Sequence, residues 1–363
     1  MTIGIDARLW NETGVGRYIR QLFFWLPKID KKNKYVWFFI SSVYDQVEMP
    51  LDWKKVRCDI HWHTFSEQLI LPFIFLKENL DLLHIPYFTF PILYPKKFVL
   101  TIHDLIYDHF KSGRGSTLPL PLFWLKKAGY FLINTVSVKR AEKILTISLN
   151  AKEEIISHYR ADPQKISVIY ESGALETDKI ETTDRMKNLR PYVLYVGNAH
   201  PHKNVENLIK AAIFGMFRLV LIGNDPFFYP RLPKSKYVEQ IGTIPNSELG
   251  GWYKNAAAFV SASKMEGFGI PPLEAMSVGC PVILSDIPVF REINGPAAEY
   301  FDHTDPAKIA AKIKSVLTDK KRLKEMVEMG YKQGAKYSWR KMAKEVHKTY
   351  IGVLNVDSNQ QSK

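Results

Sequence analysis

Glu266 and Glu274 flank a glycine loop in the run SASKMEGFGIPPLEAMSVGCPVILSD, residues 261–286. An apolar strand over 257–261 leads into the loop, and Pro271 and Pro272 suit the first turn of a helix, whose N–H groups have no intrahelical partners. Gly279 is placed to stop that helix, and Pro281 opens the next strand, PVILS. A glycine loop that runs from strand to helix gathers bare amides and the positive end of a helix dipole at one point, which suits a phosphate. A phosphate repels carboxylates, so the two glutamates fit better as acceptors for hydroxyls on either side of it. A nucleotide sugar carries such hydroxyls on both sides of its diphosphate. Dipole physics alone also favours acids at a helix N-terminus, so residue types by themselves leave both readings open.

Three further sets of residues can do related chemistry. The loop after the first strand opens a helix with TGVGRYIRQL, where Gly14 and Gly16 permit close approach of backbone to a ligand and Arg17 can meet an anion. A tight turn explains the same glycines. His103 and Asp104 end the strand KFVLTIHD, where an imidazole can donate to a sugar hydroxyl or simply bond to backbone. Lys203, in NAHPHKNVENLIKA, stands where a helix begins and can set a point charge on a diphosphate, although an exposed helix lysine looks the same in sequence.

The run around Glu266 and Glu274, with its GFGIPPLEAM context, resembles the E-x7-E signature of retaining glycosyltransferases of family 4. The passage from Gly197 to Asn204 is similar to the G-x3-P-R-K-N block of that family, and the His103-Asp104 pair and the glycine turn at Gly14 and Gly16 also match. The resemblance implies the α/β GT-B fold, two Rossmann-like doubly wound domains facing each other across a cleft. It implies that Glu274 holds the ribose and that the amides of Gly267, Phe268, Gly269 and Ile270 approach the diphosphate. It further implies that Lys203 binds phosphate, that Glu266 lies by the donor sugar, and that His103 faces that sugar with Asp104 as an orienting neighbour or loop cap. On this basis the catalytic residues are His103, Glu266 and Lys203. Three departures stand out: His202 where arginine is frequent, Asn198 where many members carry a further phosphate-binding arginine, and Glu171-Ser172-Gly173 where relatives carry Asn-Gly. The last affects a local turn. His202 helps with phosphate only when protonated.

Alternation of apolar strands with helix-length segments supports parallel sheets covered by helices. Candidate strands in the first half cover 3–6, 35–40, 56–61, 82–85, 98–103, 143–147 and 166–170; those of the second half begin with PYVLYVG and include 219–222, 237–241, 257–261 and 281–285. The expected organisation is a first, acceptor-binding domain over 1–173, a polar linker over 174–190 and a nucleotide-sugar domain over 191–337. A terminal helix over 338–354 returns to the first domain by resemblance, and residues 355–363 read as a frayed tail. Residues 286–292 read as a turn, and Asn246 or Ser247 as a helix N-cap.

The chain has 363 residues and a formal net charge of +13, which favours anionic partners. No nucleic-acid recognition motif accompanies that charge, so nucleic acid is not an expected partner. Cys58 and Cys280 stand alone, and no metal-ligand spacing is evident, so neither a metal nor a cofactor is expected. The start MTIGIDARLW reads as a strand and no apolar run reaches membrane-spanning length, which points to the cytoplasm. Residues 118–143 mix Phe123, Trp124 and Leu125 with Lys126, Lys127, Lys139 and Arg140, which fits peripheral contact with an anionic membrane or a core helix with a solvated basic face. QLILPFIFL, 68–76, carries the same ambiguity. The opening IGIDARLW with TGVGRY resembles mannosyl- and rhamnosyltransferases of bacterial surface polysaccharide assembly, which implies GDP-mannose as donor and a saccharide or lipid-linked saccharide as acceptor. No residue separates GDP-mannose from UDP-glucose, UDP-GlcNAc or dTDP-rhamnose. A UDP-sugar epimerase of the same fold and a non-enzymatic anion-binding protein are the alternative classes.

Overall fold

The computed structural model describes residues 1–88, 90–109, 120–175 and 180–360. They form two units, Met1–Glu171 with the helix Trp339–Gln360, and Ser172–Ser338.

The first unit is built on seven parallel strands: β1 (Thr2–Asp6), β2 (Lys34–Phe39), β3 (Lys54–Arg57), β4 (Leu82–Ile85), β5 (Phe98–Ile102), β6 (Lys143–Thr146) and β7 (Ile166–Val168), in the order β3-β2-β1-β4-β5-β6-β7. The second repeats the plan with β8 (Val193–Val196), β9 (Leu219–Ile222), β10 (Val238–Gly242), β11 (Ala258–Ser261), β12 (Val282–Ser285) and β13 (Ala298–Phe301), in the order β10-β9-β8-β11-β12-β13. Helices cover strands of this kind on both faces, so central strands are apolar throughout, as LVLI and VILS are. In each sheet the order reverses at the first strand, between β1 and β4 and between β8 and β11. Loops beyond the carboxyl ends of strands at such a reversal leave a crevice for ligands.

The terminal helix Trp339–Gln360 belongs to the first unit through specific contacts. Tyr350 Oη meets His84 Nδ1 at 2.5 Å, His347 Nε2 lies 3.0 Å from Asp30 Oδ2, and the Arg17 guanidinium stacks on the Trp339 ring at 5.6 Å. The helix runs on through residues 355–360, which read as a frayed tail; residues 361–363 lie outside the described residues.

Other local expectations need correction. β3 covers 54–57 and not 56–61, because the chain beyond it is used elsewhere: Asp59 accepts from Ser41 N–H at 2.6 Å and the Ile60 carbonyl accepts from Arg8 at 2.8 Å. The turn read over 286–292 is the helix Pro288–Asn294, whose Val289, Phe290 and Ile293 are buried at helical spacing. β13 went unread, since AEYF is short and only its ends are buried. Asn246 is the first residue of the helix Asn246–Asn255, with Pro245 at the cap position. The stretch read as a linker contains the helix Asp184–Asn188 with Met186 buried; its residues 176–179 lie outside the described residues.

The basic aromatic segment is the helix Leu120–Arg140, with residues 118 and 119 outside the described set. Tyr130 and Val138 are buried, while Trp124, Leu125, Phe131 and Leu132 are exposed. The 68–76 run falls in the helices Phe65–Leu69 and Leu71–Lys77, which bury Leu71 and Phe75 and expose Leu69 and Phe73. Among the described residues no helix is long and apolar enough to cross a membrane.

Candidate active site

The loops after β8 and β11 meet at the strand reversal of the second unit. Gly223, which follows β9, lets its loop approach the one after β8: a Cβ there would lie 1.9 Å from the Gly197 carbonyl oxygen. Pro201–Lys203 forms a tight turn, and Asn204, held left-handed by its bond to the His303 carbonyl at 2.9 Å, starts the helix Val205–Gly215. The Lys264 amide donates to the His202 carbonyl at 2.7 Å and ties the two loops together.

Between these loops Lys203 Nζ lies 2.8 Å from each carboxylate oxygen of Glu266. Ser263 Oγ donates to Glu266 Oε1 at 2.7 Å, Ser261 Oγ is 3.0 Å from Ser263 Oγ, and Ser285 Oγ bonds to the Ser263 carbonyl. Burial alone would raise the Glu266 pKa, but the Lys203 charge and these hydrogen bonds outweigh it and hold the carboxyl below its ordinary range. His202 behaves in the opposite way. Burial, with the Lys203 charge beside it, lowers its pKa to about 4, so the imidazole is neutral near pH 7. On this wall Lys203, not His202, carries the positive charge.

Gly269 has φ +90° and caps the helix Ile270–Ser277; a Cβ there would meet the Phe290 ring at 2.7 Å. The position therefore requires glycine. Phe268 is buried with its ring edge-on to Tyr337 at 5.6 Å, which fixes the loop from Gly267 to Ile270. Glu274, one turn into the helix, is buried and accepts from Tyr253 Oη at 2.7 Å. Gly173 lies against the same turn: a Cβ there would be 2.6 Å from the Glu274 nitrogen. The departure at Glu171-Ser172-Gly173 thus keeps the one residue that this packing needs.

Lys203, Glu266, the 267–270 loop and Glu274 are therefore gathered on one unit. Gly14, Gly16 and His103 belong to the other. A Cβ at Gly16 would lie 2.5 Å from the Trp10 carbonyl oxygen, so this glycine serves a close turn, whereas Gly14 has open space. His103 is buried, with Nε2 3.1 Å from the Pro86 carbonyl and Nδ1 3.3 Å from Glu171 Oε1. Asp104 accepts from the Ile106 N–H at 2.9 Å and caps that turn.

Sequence reading missed Ser263 and Tyr253 as partners of the two glutamates. Ser263 stands three residues before Glu266, near enough in sequence for the contact to be suspected, though no helix starts there to mark it. Tyr253 is 21 residues from Glu274 and has no local signal.

Two doubly wound sheets, with a cation, two carboxylates and a glycine loop gathered at the strand reversal of the second, define a GT-B glycosyltransferase. The comparisons agree. Residues 14–171 match the family described as Glycosyltransferase Family 4, and residues 178–333 that described as Glycosyl transferases group 1. The O-antigen chain mannosyltransferase RfbU of Salmonella typhimurium is 30% identical over 264 residues, 70% of either chain. The O-antigen chain mannosyltransferase B of Escherichia coli is 28% identical over 223 residues, 56% of this chain and 58% of its own. Among solved structures, the sucrose-phosphate synthase of Thermosynechococcus elongatus has a TM-score of 0.75 at 16% identity, covering 98% of this chain and 100% of its own. Anabaena HepE in complex with UDP-glucose has a TM-score of 0.73 at 14% identity, covering 97% and 100%. The chain belongs to glycosyltransferase family 4 and is a relative of the O-antigen mannosyltransferases.

Proposed function

We propose that this glycosyltransferase moves mannose from GDP-mannose, with retention of configuration and without a metal or other cofactor, to a saccharide or lipid-linked saccharide of a cell-surface polysaccharide. The observation that carries the reading is the Lys203–Glu266 pair at the strand reversal, beside the helix that bears Glu274. Lys203 and the amides from Gly267 to Ile270 neutralise the diphosphate as it leaves, by fixed charges and dipoles that need no reorganisation. Glu274 accepts from the ribose and Glu266 from the sugar. The acceptor oxygen bonds to the anomeric carbon on the face from which the phosphate departs, the bond from that carbon to the phosphate oxygen breaks, and the acceptor proton passes to a β-phosphate oxygen. The choice of mannose is supported by the two O-antigen mannosyltransferases among the relatives.

The first domain takes the acceptor in this account. Exposed Trp124 and Leu125 beside exposed Lys126 on the helix Leu120–Arg140 support peripheral contact with the anionic inner face of the cytoplasmic membrane, where a lipid-linked acceptor resides.

The test is transfer from radiolabelled GDP-mannose, UDP-glucose, UDP-GlcNAc and dTDP-rhamnose to lipid-linked acceptor in vesicles, with EDTA present throughout, and assignment of the new anomeric linkage by NMR. The proposal expects mannose transfer that survives EDTA and gives the donor's α configuration. Transfer from a different donor, loss of turnover in EDTA, or a β linkage would each overturn the corresponding part.

A further inference from the structure

Glu171 and His103 form a buried pair of the first unit that the reaction described above leaves unexplained. His103 follows β5 and Glu171 lies three residues beyond β7; they are 6% and 2% exposed. The Pro86 carbonyl, 3.1 Å from His103 Nε2, can only accept, so Nε2 carries a hydrogen. A neutral imidazole has one ring N–H. With that hydrogen spent on Pro86, the Nδ1 lone pair would face Glu171 Oε1 at 3.3 Å. That oxygen is sealed from water and has no other hydrogen-bond partner among the described residues. Two lone pairs at this separation repel, and a buried acceptor left without a donor is costly. One further proton between Nδ1 and Oε1 resolves both problems.

We propose that Glu171 is a positioning residue for His103, sharing a proton at Nδ1 so that the imidazole keeps hydrogens on both ring nitrogens. The other titratable groups near the ring do not compete for this role. The Tyr18 ring meets His103 edge-on at 5.1 Å, and burial raises its phenol pKa, which keeps it neutral. Burial and the neighbouring His103 lower the His84 pKa to about 3, and this ring is occupied by Thr101 at 2.7 Å and by Tyr350. Asp104 is engaged with the Ile106 N–H. With both nitrogens protonated, Nε2–H can move from the Pro86 carbonyl to a sugar hydroxyl without any change of tautomer. An asparagine at 171 would donate to Nδ1 and leave a neutral ring. The glutamate at 171 therefore sets the charge at this strand end.

The role in turnover rests on the sugar-transfer reading, whereas the protonation of the ring does not, so two measurements separate them. In ¹⁵N–¹H correlation spectra of histidine-labelled protein between pH 6 and 8, the signals lost in His103→Gln identify the residue. The wild type is expected to show imidazolium shifts at both nitrogens, Glu171→Gln one protonated and one bare nitrogen, and Glu171→Asp a return to the wild-type pattern. In turnover, Glu171→Gln is expected to lower kcat about tenfold with donor KM nearly unchanged, as for loss of an interaction made in the transition state, and Glu171→Asp to recover part of it. A neutral His103 in the wild type, or one unaffected by Glu171→Gln, overturns the shared proton. Unchanged kcat in Glu171→Gln overturns the positioning role. A wild type inactive with every donor would count against the sugar-transfer reading, and the spectra would still decide the pair.

Discussion

Lys203 and Glu266 face each other with both carboxylate oxygens 2.8 Å from the ammonium nitrogen, though 63 residues separate them in sequence. The lysine comes from the loop after β8 and the glutamate from the loop after β11, so the contact forms only when those two strands lie side by side with parallel register. The Lys203 charge holds the buried Glu266 carboxyl below its ordinary range, and so ionised. A diphosphate that engages Lys203 thus meets an ammonium already oriented, and a hydroxyl that engages Glu266 meets a carboxylate already fixed by Lys203 and Ser263.

Lys203→Ala removes that ammonium from the leaving diphosphate. Loss of one preorganised group of this kind costs about 10²–10³ in rate, and kcat/KM for the donor should fall by that amount. Lys203→Arg keeps the charge but replaces a point donor with a planar fork, and should recover only part of the loss. Steady-state kinetics with varied donor reads both.

Tyr253→Phe takes one hydrogen bond from the buried Glu274 carboxylate. Hydrogen bonds to charged groups contribute about 1.5–3 kcal/mol, so urea unfolding should show a loss of that order. Nucleotide Kd should rise roughly tenfold, since a rise of ~1.4 kcal/mol in binding free energy is one decade. Isothermal titration with the nucleotide checks the second effect.

Asp30 is buried, which would raise its pKa, but it accepts from the Asn33 side chain, the Lys32 and Asn33 amides and Tyr35 Oη, and these bonds lower the pKa to about 2. A carboxyl depressed in the folded state stabilises fully above its unfolded pKa, and that contribution is lost as pH falls through the folded value. Asp30→Asn should therefore cost about 2 kcal/mol at pH 7, with the difference from wild type shrinking between about pH 4 and pH 2. Denaturant midpoints measured across that range test the sign as well as the size.

Arg8 is fully buried between two carboxylates, 2.7 Å from Asp6 and 2.9 Å from Glu67, with its remaining fork on the Ile60 carbonyl. Arg8→Ala leaves both acids buried without their cation. Breaking a buried pair in this way costs about 3–5 kcal/mol, and the melting temperature should drop accordingly.

Much of this was legible before the fold was known, because it is local. The run from Glu266 to Gly279 carries its loop, prolines and helix stop within a few residues, and the succession of apolar strands and helix-length segments announces parallel sheets. Where strands or helices were missed, tertiary contacts had decided. Asp59 and Ile60 read as strand yet are drawn off by Ser41 and Arg8, and Val289 and Phe290 read as turn because a single proline precedes a helix too short to show its period. The pairings that fix the site were beyond reach for the same reason. Tyr253 with Glu274, Glu171 with His103 and Lys203 with Glu266 each join residues from different βα units, and a sequence without the sheet order does not say which loops meet.

The most direct test of the donor site is a thermal-shift titration of wild type, Lys203→Ala and Glu274→Ala with GDP, UDP, ADP and dTDP, in buffer without divalent metal. A ligand at about 100 times its Kd stabilises the folded state by ~2.7 kcal/mol. The account predicts that GDP raises the wild-type melting temperature, that the other nucleotides raise it less, and that both variants fold but lose the shift. A shift of equal size in Glu274→Ala, or no shift with any nucleotide in a folded wild type, would contradict it.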